Sequence, residues 1–512
     1  MSEYKFIIFF AAVFLGVPFA VALSLRSTLF RKVMIFGAIF LTCFLRLHIN
    51  FESMEWYRGS ARGFEVTVVD LCVLVLFLTL LGERRNFRWT PAGWYWYVIY
   101  TGLSALSIWN AAQPIFSWFE LWKMVRFYFF FLVMYNLLLN PANLRFMLNC
   151  LIAVVMFVFL NGLKEKYLDN GYQLRSTFPH QNSMCMYMAL LGTVFLSAAY
   201  NCREGAKRVG IYVWTFGCCS LMVVFSLSRG GMFCYALGCL VTFAVSNLCG
   251  VNRRKVLITT LLMLCAAAVM AKVAEHVYLR YTNAPVESKN DRIALAVAAA
   301  EMANSRFLGV GLNQFGETMN QEYTVGLPLS ERSLEVAPRI YRWQLVETVY
   351  LMIASECGWI TLAVFLMMLL YYYCLNLRLI VRLKGNSWRF LCIGWAGGLA
   401  AIYCQSSLEW VLKQSANYYE LMLAFASVCA LDTLSKSARR KAAAAVKKRP
   451  ALRGGEKQHP RGGRIEDSGN GGGGQDQRPV PLGDEVPETP QSQRRQQRRR
   501  DDRQINPGEI LP

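Results

Sequence analysis

Long apolar runs recur along almost the whole chain, and they limit most strongly what it can fold into. A helix needs roughly 20 mostly apolar residues to cross the hydrocarbon core of a bilayer. Hydrophobic residues make up 55% of the chain and charged residues 17%, which is too apolar for ordinary soluble domains. The sequence therefore predicts an all-α fold, a polytopic integral membrane helix bundle of about 12 to 13 transmembrane helices. The predicted segments are 4–25, 33–49, 64–82, 93–111, 115–139, 146–163, 183–200, 210–228, 230–249, 256–274, 345–374, 388–405 and 416–433.

Two of these segments carry charge and are expected to be interfacial or broken. The segment 33–49 contains Arg46, and 115–139 contains Glu120, Lys123 and Arg126. The last three residues are spaced so that they form one polar edge of a helix, which could line a groove for a lipid carrier or face the membrane interface. Asp70, in another apolar run, is expected to pair inside the bundle.

The basic residues between the segments set the predicted orientation. If the segments alternate, five clusters fall on one side of the membrane, and the positive-inside rule makes that side cytoplasmic. The N-terminus, the loops 164–182 and 275–343, and the turn at Arg229 then lie outside. The clusters are Arg26, Arg31 and Lys32; Arg84, Arg85 and Arg88; Arg203, Lys207 and Arg208; Arg253, Arg254 and Lys255; and Arg378, Arg382 and Lys384.

Composition divides the chain into two parts. Residues 1–434 form the predicted membrane domain, with 275–343 as its large outer loop. From 435 to 512 the sequence is rich in basic residues, Gly, Pro and Gln, and it cannot bury enough apolar surface to fold alone. We expect a basic, disordered cytoplasmic tail, which either contacts lipids or a partner or is simply a solvated terminus.

Charge, cysteines and histidines exclude several classes of function. The net charge of +21 comes from short clusters between apolar runs and from the tail, which is typical of topology signals and of attraction to anionic lipids. We therefore predict membrane lipids as partners and no nucleic acid. Almost all of the 16 cysteines lie in apolar runs, as small buried hydrophobic residues do. With four histidines and no HExxH or CxxC pattern, no metal site and no cofactor is predicted.

Polar residues stand just outside several spans on the predicted outer side. Charged residues close to or within membrane segments are costly, so each is a functional hypothesis by default. The stretch LRSTFPHQNS has Arg175, His180 and Asn182 before a span, and FSLSRGG places Arg229 between two spans. A cation at a helix mouth, beside glycines that let a ligand approach the backbone, suits a phosphate or diphosphate.

Two further stretches lie around the outer loop. Arg292 heads an alanine-rich helical stretch that ends in a Gly-Val-Gly loop at 309–311, and no GxGxxG follows that would indicate a dinucleotide site. Glu347 stands where the chain re-enters the membrane. Glu356 lies about 13 Å deeper along the same predicted helix, so it is assigned to a polar contact inside the bundle.

Four motifs, in this order, resemble the O-antigen ligase and lipid-linked glycan polymerase family. They are R-x-T-F-x-H-x-N at 175–182, S-x-S-R-G at 226–230, Arg292 followed by G-x-G-x-x-x-F at 309–315, and Y-L-x-x-x-x-E-x-G at 350–358. Their order, their spacing and the large outer loop agree with the family over most of 1–433.

The resemblance implies a metal-independent glycosyltransferase of a bacterial inner membrane, with its active site facing the periplasm. Such enzymes transfer a glycan from an undecaprenyl-diphosphate carrier to an acceptor hydroxyl on a glycan, a lipid or a protein. Carried over by motif, Arg229 and Arg292 are the diphosphate-binding catalytic candidates. Glu347 occupies the family's histidine position. It is the third catalytic candidate, because a carboxylate can also accept the hydroxyl proton. Arg175, His180, Asn182 and Tyr350 are the substrate-binding candidates.

Other interpretations of the same residues stay open. Arg229 could extend to lipid headgroups, Arg292 could lie on a solvated helix, and Glu347 could cap a helix N-terminus. His180 and Asn182 could order the loop or cap the span that follows them. A non-enzymatic scaffold or a lipid-linked sugar transporter in a polysaccharide-export system would use some of the same features. Ligase and polymerase cannot be told apart.

Overall fold

Helices account for nearly all the regular structure of the chain. The computed structural model describes residues 2–57, 59–83, 87–282, 286–319 and 345–453. The helices are α1 Ser2–Ala11, joined by the π turn Ala12–Gly16 to α2 Val17–Arg26; α3 Thr28–Phe40; α4 Val68–Gly82; α5 Trp94–Leu106; α6 Pro114–Leu138; α7 Pro141–Tyr167; α8 Gln181–Asn201; α9 Ala206–Phe225; α10 Arg229–Leu248; α11 Arg253–Thr282; α12 Val286–Ser305; α13 Phe315–Thr318; α14 Val349–Arg382; α15 Arg389–Gln405; and α16 Ser415–Arg453. The strands are β1 His48–Phe51 and β2 Phe64–Thr67.

The predicted membrane bundle is confirmed, and each of the thirteen predicted segments includes a helix. In the described part of the chain, eight helices are long and apolar enough to cross a membrane. The other five predicted segments fall on α3, α4, α5, α11 and α15. Helices α3 and α5, with 13 residues each, span only about 20 Å, against about 30 Å for the hydrocarbon core.

A short hairpin replaces part of two predicted spans. Helix α3 ends at Phe40, not at 49, and the chain then forms β1, which pairs antiparallel with β2 from His48↔Thr67 to Phe51↔Phe64. The segment containing Arg46 is thus broken, as expected. The predicted span 64–82 becomes helical only at Val68, because Thr67 and Asp70 form a capping box there.

The charged edge of α6 is inside the bundle. Helix α6 is continuous, and Glu120, Lys123 and Arg126 are each 5% exposed or less, so the predicted break and the interfacial position are wrong. Arg126 pairs with Asp70 at 2.7 Å, which confirms the expected pairing of Asp70. These charges can be buried because each has a partner.

A second set of buried charges joins three parts of the bundle. The Nζ atom of Lys413 lies 3.0 Å from a Glu356 carboxylate oxygen and 3.6 Å from a Glu120 oxygen, and Lys123 pairs with Glu120 at 3.0 Å. Glu356 therefore makes the polar contact inside the bundle that was predicted for it.

The core of the bundle is α8, which is buried along its whole apolar window. Its neighbours approach closely through glycines. A Cβ at Gly394 of α15 would lie 2.5 Å from the Cα of Val194, and a Cβ at Gly397 would overlap Thr242 of α10. Small residues at helix interfaces allow this close packing in membranes. Helices α8, α10 and α15 therefore form a tightly packed unit.

The Gly-Val-Gly loop is anchored to a break in α14. Gly358 interrupts that helix with a φ of +85°. The break leaves the carbonyls of Ser355 and Glu356 to accept hydrogen bonds from the N–H groups of Val310 (2.9 Å) and Gly311 (2.9 Å). The Gly-Val-Gly loop is thus fixed to the break in α14.

The chain divides into two compact units, 1–434 and 435–512. Helix α16 continues to Arg453, so the first part of the predicted disordered tail is helical. The rest of that tail lies outside the described residues, as do 283–285 and 320–343 of the predicted outer loop and the predicted cytoplasmic Arg84 and Arg85.

Candidate active site

The guanidinium group of Arg292 lies between two carboxylates. Its Nη2 atom is 3.8 Å from Glu347 Oε2 and 3.6 Å from Glu409 Oε1. The side chains of Arg292 and Glu347 are 46% and 33% exposed, whereas that of Glu409 is 9% exposed. Two sequence-predicted residues are therefore brought together, and a third charged residue joins them.

Apolar packing holds Arg292 in place. Arg292 lies in the second turn of α12, and the buried face of this helix, with Leu295, Ala299 and Met302, packs in one cluster with Val346 and Met352. Trp410, which follows Glu409, packs against the same cluster. The alanines that made this stretch look helical also let α12 lie close to α14.

Glu347 is held beside the segment 405–409. Thr348 occupies the N-cap position of α14, so Glu347 precedes the cap and is not itself the capping residue. The N–H of Val349 donates to the carbonyl of Ser406 at 3.0 Å, and the Thr348 hydroxyl donates to the same carbonyl at 3.3 Å. These bonds place Glu347 next to Glu409.

Glu409 is the residue that the sequence analysis missed. It stands in the turn after α15, where its N–H donates to the carbonyl of Gln405 at 2.9 Å. The signal was present in the sequence SSLEW, a carboxylate at the same outer end of a predicted span as Glu347. The predicted topology therefore puts both carboxylates on one side, and the packing of the turn distinguishes Glu409 from an ordinary surface charge.

The surroundings of Glu409 favour its protonated form. Burial raises the pKa of Glu409 to about 8, with a further rise from the charge of Glu347, while Arg292 and a hydrogen bond with Asn182 oppose the shift. Neighbouring carboxylates do not readily ionise together, so the second proton is held at higher pH. Around neutral pH Glu409 is the member of the pair that carries a proton.

His180 and Asn182 lie beside these charged residues, at the start of α8. The Nδ1 atom of His180 accepts from the N–H of Asn182 at 3.2 Å, so His180 caps the helix as one interpretation foresaw. Partial burial lowers the pKa of His180, Glu347 opposes this, and Arg292 and Arg175 add to it. The carbonyl of Asn182 accepts from Gln405 at 3.2 Å.

Arg229 is the first residue of α10, which begins beside the segment 405–409. Ser228 caps this helix, with its hydroxyl oxygen accepting from the N–H of Gly231 at 3.2 Å. Leu227 before it has a φ of +51°, a conformation that non-glycine residues adopt at a cost. A Cβ at Gly230 would lie 3.1 Å from Leu408, the neighbour of Glu409. The start of α10 is thus packed on the turn that carries Glu409.

Residues 214–366 match the family model described as O-antigen ligase. Over this segment the chain is similar to the O-antigen ligase family. The match supports a lipid-linked glycan ligase or polymerase in general, and the apolar helices make it a multi-pass membrane protein. No curated protein matches the chain.

The matched segment contains some of the polar residues grouped around Arg292 and not others. Arg229, Arg292 and Glu347 lie inside 214–366, whereas His180 and Glu409 lie outside it. The cluster is therefore assembled from the matched segment and from helices on either side of it.

Arg175 and Tyr350, the other two substrate-binding candidates, have different surroundings. Arg175 is exposed and adds to the electrostatic field at His180. The Tyr350 hydroxyl donates to the carbonyl of Tyr403 at 2.7 Å, so it is bound to α15. The sequence prediction grouped both with the substrate, and in the structure only Arg175 acts on the cluster electrostatically.

Proposed function

We propose that the chain is an inner-membrane glycosyltransferase that transfers a glycan from an undecaprenyl-diphosphate carrier to an acceptor hydroxyl at the periplasmic face. Arg292 and Arg229 bind the diphosphate, and Glu347 accepts the hydroxyl proton. Arg175, His180 and Asn182 contribute to binding the substrate, and Tyr350 holds the start of α14 against α15. The acceptor is a glycan, a lipid or a protein, and no metal takes part.

The placement of Arg292 between Glu347 and Glu409 carries this proposal. A fixed cation and a partly exposed carboxylate lie within 3.8 Å of each other at the place where the sequence resembles the family's motifs. A transferase of this kind needs both groups at one point, a cation for the leaving diphosphate and a base for the attacking hydroxyl.

The helix ends around the cluster add to the positive field. The N-terminal ends of α8, α10 and α14 all contact the segment 405–409, through Asn182, Gly230 and Val349. Helix N-termini carry partial positive charge and favour anions. An anionic diphosphate is therefore stabilised by the backbone as well as by arginines.

The reaction is a single displacement at the anomeric carbon. The acceptor oxygen forms a bond to that carbon while the bond to the diphosphate oxygen breaks, and the bonding electrons leave with the diphosphate. The hydroxyl proton moves to Glu347. Since attack and departure occur on opposite faces, the configuration at the anomeric carbon inverts.

The test is the amount of carrier-linked glycan in cells that produce each variant at matched levels. We expect Arg292→Ala and Glu347→Gln to lower transfer on the order of 10²-fold or more, because each removes a group that acts in the transition state. Glu347→His should restore part of the activity, since histidine can act as a base at this position. Glu301→Gln and Arg203→Ala, which change exposed residues elsewhere, serve as matched controls and should behave as the wild type.

Accumulation of carrier-linked glycan in the Arg292 and Glu347 variants alone would support the transferase. If all variants clear the glycan equally, the site is not catalytic, and a scaffold or a transporter becomes the better interpretation.

A further inference from the structure

Glu409 lies outside the segment that matches the family and is not one of the residues carried over from it. Its carboxylate is the most buried group of the cluster, and its position is fixed from several sides. We propose that Glu409 is a positioning residue that works in its protonated form, sharing one proton with Glu347 and leaving the charge of Arg292 available to the diphosphate. This inference rests on the proposed function.

The geometry supports a shared proton. Glu409 and Glu347 flank the same guanidinium nitrogen, at 3.6 Å and 3.8 Å, and the charge of Glu347 adds to the rise in the pKa of Glu409. With one cation between two neighbouring carboxylates, one of the two retains a proton. The proton belongs to Glu409, the more buried of the two, because burial disfavours the charged form.

Three charges decide what a diphosphate meets at this site. With Glu409 protonated, Arg292 and Glu347 sum to zero, and the positive helix ends and Arg229 dominate. With Glu409 ionised, the cluster of Arg292, Glu347 and Glu409 carries a net negative charge. An anion that approaches Arg292 then meets a second ionised carboxylate, 3.6 Å from the same nitrogen, which costs affinity.

The groups that face Glu409 come from each element packed against its turn. Arg292 faces it from α12 and Glu347 from the approach to α14. Asn182 and Cys185 face it from α8, where His180 begins the helix, and Arg229 begins α10 beside Leu408. Of the groups named, Glu409 is the one whose pKa is raised to about 8.

The raised pKa of Glu409 sets the direction in which the affinity for the diphosphate changes with pH. The pKa of Glu409 is raised, so below about pH 8 the group is protonated and the diphosphate binds at full strength. As pH rises through that value Glu409 ionises and affinity falls. A phosphate that titrates on the carrier itself does so at lower pH and is common to all variants.

The experiment measures binding of undecaprenyl diphosphate to the purified full-length chain in detergent between pH 6.5 and 9.5. For the wild type we expect affinity to fall on the order of tenfold above pH 8. Glu409→Gln, which copies the protonated form, should show no alkaline loss of affinity between pH 7 and pH 9.5. Glu301→Gln is the matched control and should retain the wild-type alkaline loss.

A second variant keeps the proposal testable if Glu409→Gln fails to fold. Asn182→Ala removes the hydrogen bond that lowers the pKa of Glu409, so the alkaline loss should move to higher pH. An alkaline loss that is unchanged in Glu409→Gln, or unmoved in Asn182→Ala, would overturn the role of Glu409.

Different results would contradict the proposed function and the inference about Glu409. If Arg292→Ala binds undecaprenyl diphosphate as tightly as the wild type, the proposed function itself is wrong. If Arg292→Ala loses binding on the order of tenfold or more while Glu409→Gln keeps the wild-type pH profile, only the inference about Glu409 is wrong.

Discussion

Lys413 is a charged residue in an apolar environment, with a side chain only 6% exposed. It lies between Glu356 and Glu120, which are themselves almost fully buried. A buried ion pair contributes little compared with apolar packing, but removing one partner leaves the other charge without compensation. The network therefore makes the bundle sensitive to single substitutions.

Lys413→Met is expected to destabilise the protein by about 3–5 kcal/mol, because it removes the ion-pair partner of the buried Glu356 carboxylate and leaves Glu120 with Lys123 alone. Thermal unfolding of the purified protein in detergent measures this. Lys384→Met, at an exposed lysine, is the matched control and should shift the transition by little. If both variants unfold at the same temperature, the buried pairs do not hold the bundle together.

The site was only partly predictable at the level of single residues. Arg292 and Glu347 stood out because a charge next to an apolar run is unusual. Glu409 and Lys413 have the same property, but both follow α15 in a short polar turn, which is also where ordinary surface charges occur. Only the packing of that turn against α10, α12 and α14 distinguishes them.

At the scale of elements, the break in α14 and the loop after α12 form one structure. A Cβ at Gly358 would collide with the carbonyl of Phe307, and a Cβ at Gly309 would lie 2.5 Å from the backbone of Glu356. Both glycines also have positive φ values, which residues with a Cβ adopt at a cost. Neither position can accept a side chain without moving its partner.

Gly358→Ala is expected to cost clearly more stability than Gly385→Ala. Gly385 has nearly the same φ, +86°, but open space around its Cα, so alanine there carries only the conformational strain of about 1–2 kcal/mol. At Gly358 the backbone, with φ +85° and ψ +164°, lies in a region essentially restricted to glycine, and the collision with Phe307 adds to that strain. Thermal unfolding of the two variants side by side separates these contributions. Equal losses would mean that the loop yields easily to the added methyl group.

Apolar runs predicted the helices well and their interruptions poorly. The strands HINF and FEVT each contain two apolar residues close to the apolar helices α3 and α4, so counting apolar residues extends the predicted spans through them. Gly358 stands in a mostly apolar run, where a glycine is compatible with a continuous membrane helix. The loop residues Val310 and Gly311, whose N–H groups bond to the break, lie in a separate part of the sequence.

At the scale of the molecule, orientation rests on the basic clusters and determines which side the candidate site faces. Among the described residues, exposed Arg203 lies between α8 and α9, opposite in the predicted topology to Glu301 of α12. The positive-inside rule assigns Arg203 to the cytoplasm and Glu301 to the outside. The two positions therefore report on the two sides of the membrane.

Glu301→Cys should be labelled by a membrane-impermeant maleimide in intact cells, above the signal of the wild type. Arg203→Cys should be labelled only after the inner membrane is permeabilised. The native cysteines provide a low background, since most of them are buried. The reverse pattern would place the candidate site on the cytoplasmic side and exclude chemistry at the outer face.

The joint between the Gly-Val-Gly loop and α14 also has a consequence for protein engineering. The N–H groups of Val310 and Gly311 donate to two carbonyls that are available to the loop because α14 is interrupted at Gly358. The loop and the interrupted helix are therefore complementary. A chimera with a relative must exchange both segments together. A crossover placed between them would combine a loop and a helix that were never selected to recognise each other.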